Sequence, residues 1–250
     1  MNPLSFIYHE LLFRPLFNLL VGITNLIPAH SVGLSILLVT ILVRFILLPS
    51  SIHQAKQMHK NQTKMGEVKD KLKKIQQQHK NDKSKQAEAT MAVYRQAGIN
   101  PASGCLPLLI QLPILIALYR VFLIGMEPDT FINLYSFISP PSIVNLSFLG
   151  IDLTQTSLLL ALLAGSFQLI LMHLVKPAAP AAPSTDSDQS AQMMASMQKN
   201  MTYIFPVMTV FISMQLPAAL ALYWVASTIF GIVQQYTFKH YLKISSGVAV

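Results

Sequence analysis

Long apolar runs constrain the fold of this chain more than any other feature of its sequence. A helix needs about 20 predominantly apolar residues to cross the hydrocarbon core of a bilayer. Hydrophobic residues make up 52% of the chain and charged residues 11%, whereas about a quarter of the residues of a soluble domain are charged. The sequence therefore predicts an all-α membrane protein with five transmembrane helices. The first three predicted spans are 31–50, 104–125 and 156–175, and the fourth and fifth form a hairpin over 201–240, joined at Pro217.

One narrow polar stripe runs through the apolar N-terminal segment 1–30. Its members follow one another at four-residue steps: Glu10, Arg14, Asn18 and Gly22. They share one face of a helix whose other faces are apolar. This pattern predicts an amphipathic helix that lies in the membrane interface and ends at Pro28. The alternative is a first transmembrane span with a single buried ion pair, which would be costly in lipid.

The charged residues indicate how the chain is oriented in the membrane. Of the 18 Lys and Arg, 11 lie between His53 and Pro101, whereas the loop 126–155 carries three acidic residues and no Lys or Arg. Basic loops are retained on the cytoplasmic side, so the N-terminus is predicted outside and the C-terminus in the cytoplasm. The predicted cytoplasmic segments are 51–103, a linker with a Met-rich part at 176–200, and the tail 241–250.

The basic segment 51–103 contains two amphipathic stretches. In the first, a heptad-like seam steps by three and four residues through Met65, Val68, Leu72, Ile75 and His79. In the second, one side of a helix is formed by Ala87, Met91 and Tyr94, with Gly98 at its end. The segment is therefore predicted to be a basic antiparallel helical hairpin. Its charge suits anionic lipid or ribosomal RNA, and DNA is not a predicted partner.

Arg44 is a charged residue within the first predicted span. Holding a charge at the centre of a membrane helix costs about 2.5–3.5 kcal/mol on insertion scales, so Arg44 needs water or a partner. Thr40 precedes it by four residues and shares its face. The alternative is snorkelling, because Arg44 lies five residues before Pro49 and a guanidinium could reach the interface from there.

Polar side chains also occur in each of the other predicted spans. Buried polar groups must be satisfied, so five spans that each carry a polar stripe predict a shared wet cavity. A single Ser or Thr in a membrane helix more often bonds the backbone of its own helix. The cavity is predicted only because polar residues occur in all five predicted spans. The pattern does not decide whether such a cavity conducts ions, transports solutes or inserts proteins. The residues are Gln111, Gln168, Thr209, Ser213, Trp224, Ser227, Thr228, Gln234 and Gln235.

The sequence contains no constellation that predicts catalysis. Ser166 and His173 share a predicted span, but two helical turns, about 10 Å, separate them, which is too far for a dyad. No zinc motif, paired intramembrane carboxylates or phosphate-binding glycine loop is present. The chain is therefore expected not to be an enzyme and to need no metal or other cofactor.

Three motifs resemble those of a known family. They are Asn100–Ile114 (NPASGCLPLLIQLPI), Thr40–Arg44 (TILVR) followed by Pro49, and Pro217–Trp224 (PAALALYW) followed by Gln234 and Gln235. In this order and at this spacing they resemble the core spans of the YidC-type membrane protein insertases, which are related to the mitochondrial and chloroplast insertases. The resemblance covers roughly residues 30–240.

The resemblance implies a five-helix core around a hydrophilic groove that opens to the cytoplasm and to lipid but is closed on the outer side. It implies that Arg44 is the groove arginine and that Thr40, Gln111 and Trp224 are groove or substrate-contact positions. The predicted groove residues are completed by Tyr223, Ser213, Gln168 and Ser227. The basic hairpin then corresponds to the family's cytoplasmic hairpin, which is implicated in receiving substrates.

The function that this resemblance implies is the insertion and folding of membrane proteins in a bacterial plasma membrane. Nascent membrane proteins and the lipid bilayer are the expected partners, whereas the Sec translocon and the ribosome, through the basic hairpin, are left open. A polar segment of the substrate would be held near Arg44, while its apolar segment enters lipid along the first and last spans, past Trp224. Two other functions are compatible with the residues: a small-solute transporter, and a scaffold that holds a membrane complex without inserting anything.

Overall fold

The computed structural model describes residues 3–79, 82–100, 106–124, 128–141, 143–175 and 202–245. The predicted linker and Met-rich segment at 176–200 and the end of the predicted tail lie outside these residues. The described part of the chain is mostly helical, and its sheet is a single two-stranded hairpin.

The N-terminal segment forms one interrupted helix. α1 (Pro3–Tyr8) continues through a π-helical turn (His9–Phe13) into α2 (Arg14–Leu26). The π-helical turn directly precedes Pro15, whose nitrogen has no hydrogen with which to bond the carbonyl four residues back, and a wider turn accommodates that gap.

The polar stripe of α2 faces the segment 128–157, here called the outer loop after its predicted side of the membrane. The side chains of Arg14 and Asn18 donate hydrogen bonds to the carbonyl of Asn133 at 3.2 and 2.9 Å. The opposite face is buried in the core, where Phe17 is fully covered. The helix over 5–26 is long and apolar enough to cross a membrane, so its interfacial position stays a prediction.

α3 (Val32–Ile46) forms the first predicted span, and α4 (Leu48–Glu67) follows it after one residue. The two helices are bent by 59° relative to each other. Pro49 lies in the first turn of α4, where its missing N–H leaves no hydrogen bond unmade. The chain therefore changes direction at the predicted end of the span and leads into the basic hairpin.

The basic hairpin continues with α5 (Lys69–Gln78) and α6 (Lys83–Ala97). α5 and α6 enclose a small core formed by Val68, Leu72, Tyr94 and Ile99. The predicted seam positions Val68 and Leu72 are therefore buried. Of the three residues predicted on one side of the second helix, Tyr94 is buried, whereas Ala87 and Met91 are exposed. The contact between α5 and α6 lies at the end of α6, where Val93 and Ala97 pack beside Tyr94.

Gly98 ends α6 in the left-handed conformation, with φ of 61°. Replacing it with alanine is expected to destabilise the hairpin by about 1 kcal/mol, because a Cβ is strained at this φ. Hydrogen exchange of the amides in the last turn of α6 would measure the change in protection. Gly66→Ala is the matched control: Gly66 is helical with open space around it, so alanine should raise protection there. Equal protection in Gly98→Ala and the unmodified chain would contradict the prediction.

Four helices complete the bundle. They are α7 (Leu106–Ile124), α8 (Leu158–Val175), α9 (Thr202–Ser213) and α10 (Ala218–Ser245). α9 and α10 are joined by the short turn that contains Pro217. α10 extends well past Val233, where the apolar part of its sequence ends, and reaches the predicted cytoplasmic tail. It packs most extensively on α8 and then on α3.

Small residues line the contacts between these helices. On α8 they are Ala161, Ala164 and Gly165, and on α10 Ala218 and Ala221 are buried. Helices in lipid associate through close packing of small residues, because apolar side chains gain little by leaving lipid for one another. Large apolar side chains such as Leu38, Ile41 and Leu162 are instead exposed on the outside of the bundle, as expected for a surface that lipid covers.

The outer loop closes one end of the bundle. It contains a 3₁₀-helix (Pro128–Asn133) and the hairpin of β1 (Ser147–Phe148) and β2 (Ile151–Asp152), paired antiparallel with Ser147 opposite Asp152. Gly33 of α3 leaves room for Phe148, since a Cβ at Gly33 would lie 2.3 Å from the phenyl ring. The loop is thus packed directly on the start of α3.

The apolar helices confirm the predicted fold class, an all-α membrane protein. Three helices of the described chain are long and apolar enough to cross a membrane, at 5–26, 158–175 and 218–240, and the bent pair α3 and α4 would be a fourth. The described apolar parts of α7 and α9 are shorter, at 111–122 and 202–213. The number of five spans stays a prediction.

Candidate functional site

α10 contributes polar side chains that contact four other helices of the bundle. Tyr223 bonds α7, Ser227 bonds α3, Thr228 bonds α8 and Gln234 bonds the start of α4. Because α10 packs between these helices, residues on different sides of its axis reach different neighbours. The polar residues of the predicted spans are therefore not arranged on one common face, and α10 divides them into separate groups.

Arg44 reaches across from α3 to α10. Its Nε donates a hydrogen bond to Ser227 Oγ at 3.0 Å, and its Nη2 contacts the same oxygen. Ser227 is buried and Arg44 is half-buried. The partner of the guanidinium is thus a neutral hydroxyl, and within the described residues no carboxylate lies within salt-bridge distance of it.

The position of Ser227 along α10 gives the distance of the guanidinium from the start of that helix. Ser227 is nine residues past Ala218, the first residue of α10, which is about 14 Å along a helix axis. The hydrocarbon core of a bilayer is about 30 Å thick, so this contact lies near mid-depth if α10 begins at the outer surface. A snorkelling Arg44 would instead extend toward Pro49 and the interface.

Gln111 and Tyr223 form a second polar contact beside Arg44. Gln111 Nε2 donates to the Tyr223 hydroxyl at 2.6 Å. Tyr223 precedes Ser227 by four residues on α10, so the two side chains lie on the same side of the helix, one turn apart. Arg44, Gln111, Tyr223 and Ser227, here called the Arg44 cluster, therefore connect α3, α7 and α10 at one level of the bundle.

Gln168 lies on a different side of α10. Its Oε1 accepts a hydrogen bond from Thr228 Oγ1 at 3.5 Å, and both side chains are buried. Thr228 follows Ser227 directly, and successive helical residues point about 100° apart. The contact thus belongs to the packing between α8 and α10, and the structure does not bring Gln168 into contact with the Arg44 cluster.

Thr40, Ser213 and Trp224 are also outside the hydrogen bonds of the Arg44 cluster. Thr40 is buried and donates to the carbonyl of Ile36 at 2.6 Å, the usual role of a threonine in a membrane helix. Ser213 is buried, and among the described residues its hydroxyl has no hydrogen-bond partner. Trp224 is half-buried on α10 beside Tyr223.

Two features of the structure were not anticipated from the sequence. Gln234 Nε2 donates to Ser51 Oγ at 2.8 Å, which fixes α10 to the start of α4. Arg120 is an exposed cation near the outer end of α7, and its guanidinium carbon lies 5.9 Å from the centre of the Tyr8 ring. The signal for Arg120 was in the sequence, since it is a second arginine within a predicted span.

The Arg44 cluster can bind polar groups, but it lacks the parts that covalent chemistry needs. It offers one cation, a side-chain amide and two hydroxyls, and in the described part of the chain neither hydroxyl is bonded to a base. Across the described residues, no group of three His, Cys, Asp or Glu side chains could hold a metal ion. The arrangement suits the transient binding of a carboxylate or of peptide groups.

Comparison with known proteins gives consistent matches. Residues 23–245 match the family model described as 60Kd inner membrane protein. The membrane protein insertase MisCB of Bacillus subtilis is 36% identical over 233 residues, which cover 91% of this chain and 78% of the relative. The membrane protein insertase YidC of Fusobacterium nucleatum is 35% identical over 206 residues, 82% of this chain and 84% of the relative. The YidC of Clostridium tetani is 35% identical over 208 residues, 83% and 80% of the two chains.

Proposed function

This chain belongs to the 60Kd inner membrane protein family of YidC-type membrane protein insertases, and we propose that it inserts nascent membrane proteins by holding their polar segments at the Arg44 cluster. The family membership confirms the resemblance of the three sequence motifs. It makes the chain a membrane-embedded protein that acts on other membrane proteins. The named relatives favour neither the transporter nor the scaffold.

The observation that carries the proposed site is the contact between Arg44 and Ser227. A cation at membrane depth with a neutral partner attracts negative charge more strongly than one already paired with a carboxylate. An acidic residue in the translocated segment of a substrate would displace Ser227 and form a charge-assisted hydrogen bond with the guanidinium. Gln111 and Tyr223 would then bond exposed peptide groups of the same segment, which lowers the cost of their desolvation.

The contacts between α3 and α10 bear on how the substrate leaves. Arg44 bonds Ser227, and Phe45 packs edge-to-face on Phe230 at 5.4 Å, so two contacts join α3 to α10. The bond from Gln234 to Ser51 joins α10 to the adjoining start of α4. Exit between α3 and α10, the route expected from the sequence, would require the first two contacts to break. α7 packs less extensively on α10, so we propose instead that the apolar segment enters lipid beside α7, past its exposed Leu112 and Ile116.

The orientation follows from the distribution of charge. With the basic hairpin in the cytoplasm, the outer loop and the start of α10 lie on the outer side of a bacterial inner membrane. Lysines are exposed along the hairpin, for example Lys69 and Lys71, which suits an acidic surface such as ribosomal RNA. We propose the ribosome and the Sec translocon as partners that deliver substrates. That the chain is not an enzyme stays a prediction.

Reconstitution of the purified chain alone tests the proposed function. A small single-span protein is synthesised in the presence of liposomes that contain only this chain, and insertion is scored by protease protection. We expect protection well above that of empty liposomes. Correctly folded chain without protection would reject autonomous insertion. Uptake of a small solute by the same liposomes would then favour a transporter, and binding without insertion would favour a scaffold.

A further inference from the structure

An open depression lies between α2 and the outer loop, away from the Arg44 cluster. Its walls are mainly apolar, and they are formed by Leu19, Ile23, Leu26, Phe137, Ile138 and Pro140. Leu26 is 84% exposed and Phe137 is 80% exposed. Apolar side chains left this open are unfavourable in water, and a cluster of them marks a surface that binds something.

The two walls of the depression are held in place by hydrogen bonds. At one end Asn18 Oδ1 accepts from the backbone nitrogen of Tyr135 at 2.6 Å, and at the other Asn25 Nδ2 donates to the carbonyl of Ser139 at 2.8 Å. These asparagines are seven residues apart on α2, which is about 10 Å. The depression is therefore a preformed feature, and much of the hydrogen-bonding capacity of its amides is already used by the outer loop.

The backbone at the edge of the depression is strained. Ala29 and His30 have φ values of 62° and 47°, and two consecutive non-glycine residues rarely adopt this region. Two hydrogen bonds of His30 stabilise this strained conformation. Its carbonyl accepts a hydrogen bond from the backbone nitrogen of Asn145 at 3.0 Å, and its Nδ1 donates one to the carbonyl of Thr24 at 3.1 Å. His30 also lines the depression. Strained backbone of this kind concentrates at functional sites.

Charge and surroundings indicate what the occupant is. The described outer loop carries Asp129 and Asp152 and no Lys or Arg. Arg14 lies 5.0 Å from the centre of the Tyr135 ring at one edge of the depression, but it is already paired with Glu10 at 3.1 Å, so an anionic ligand gains little there. On α3, the helix that follows the depression in sequence, Leu34 and Leu38 are also exposed. An open depression with mainly apolar walls on a protein surrounded by lipid suits a hydrocarbon chain.

We propose that this depression binds one acyl chain of a phospholipid from the outer leaflet. The bound chain covers Leu26 and Phe137 and holds α2 and the outer loop against the membrane. The proposal uses the orientation given above, but it does not depend on the role of Arg44. Insertion activity and lipid binding can therefore fail separately.

The test uses a fluorescent reporter in the full chain. Trp224 is the single tryptophan, so Trp224→Phe provides a background in which Phe137→Trp reports on the depression. The variant is reconstituted in bilayers of phosphatidylcholine with brominated acyl chains, which quench tryptophan on contact. Leu34→Trp in the same background is the control for a lipid-facing position. We expect the reporter at position 137 to be quenched to a similar extent as the reporter at position 34.

Variants that fill the depression with a larger side chain distinguish a specific binding site from general contact with lipid. A Cβ at Gly22 would lie 3.6 Å from Ile138 Cδ1, an ordinary contact, so Gly22→Ala is tolerated, whereas Gly22→Leu projects into the depression. We expect Gly22→Leu to reduce quenching at position 137 about twofold or more, because the leucine takes the space of the acyl chain. Gly22→Ala should leave it unchanged, and neither change should affect the reporter at position 34.

A second variant that fills the depression serves if Gly22→Leu does not fold. Ser139 is exposed, lines the depression from the other wall, and contributes its backbone carbonyl to the bond with Asn25, so Ser139→Leu keeps that bond. Reduced quenching at position 137 in either folded variant supports the proposal. Absence of quenching at position 137 in lipid alone would overturn it and would favour a partner helix as the occupant. Equal quenching in both filled variants and in Gly22→Ala would also overturn it.

Discussion

Arg44→Ala is expected to reduce the insertion of substrates with acidic translocated segments by at least about tenfold, which corresponds to about 1.4 kcal/mol. Two unit charges 4 Å apart attract each other by about 4 kcal/mol at an effective dielectric of 20. Water in the groove and the competing bond to Ser227 Oγ, at 3.0 Å from Arg44 Nε, reduce that value. The assay is protease protection in liposomes that contain the variant at equal amounts.

Three comparisons isolate the charge of Arg44. Arg44→Lys keeps a cation and should retain most of the activity, although it loses the two-nitrogen contact with Ser227. Ser227→Ala keeps the guanidinium and removes its resting partner, so it should change insertion by no more than about fivefold, or about 1 kcal/mol. A substrate whose acidic residues are replaced by neutral ones should be less sensitive to Arg44→Ala. Equal insertion of every substrate by Arg44→Ala would exclude a role for charge.

That Arg44 needs a polar partner could be predicted from sequence, but which residue provides it could not. An arginine among apolar residues stands out because its burial is costly. The residue that Arg44 bonds depends on how α10 is rotated about its axis. A rotation by about 100°, the angle between successive helical residues, would place Thr228 rather than Ser227 opposite α3. Helical spacing places Thr40 on the same face of α3 as Arg44. Its hydroxyl nevertheless donates its hydrogen bond to the carbonyl of Ile36 in its own helix.

The N-terminal helix shows a second limit of sequence patterns. The four-residue spacing correctly places Arg14, Asn18 and Gly22 along one line of α2, because helical periodicity alone decides it. The pattern cannot show that this line faces protein. In the structure the outer loop, more than 100 residues later, supplies backbone groups to Arg14 and Asn18. Such long-range partners leave no periodic signal in either segment.

Gly165→Ala is expected to destabilise the bundle by about 1–3 kcal/mol, the range for added atoms in a packed interior. A Cβ at Gly165 of α8 would lie 2.2 Å from Val210 Cγ2 and 3.1 Å from the carbonyl oxygen of Pro206, both on α9. Valine is stiff about χ1 and a helical carbonyl cannot move alone, so α8 and α9 must separate. Thermal unfolding of the purified chain in detergent micelles, followed by circular dichroism, would measure the loss.

A control and a rescue test whether this close approach is the cause. Gly231→Ala on α10 adds the same atom 3.4 Å from Leu171, an ordinary contact, and should not lower stability because alanine also favours the helix by about 1 kcal/mol. Combining Gly165→Ala with Val210→Ala removes the atom at 2.2 Å but not the carbonyl of Pro206, so about half of the loss should be recovered. If Gly165→Ala unfolds at the same temperature as the unmodified chain, α8 and α9 do not pack this closely. The positions of Thr209 and Ser213 beside α8 would then have to be assigned anew.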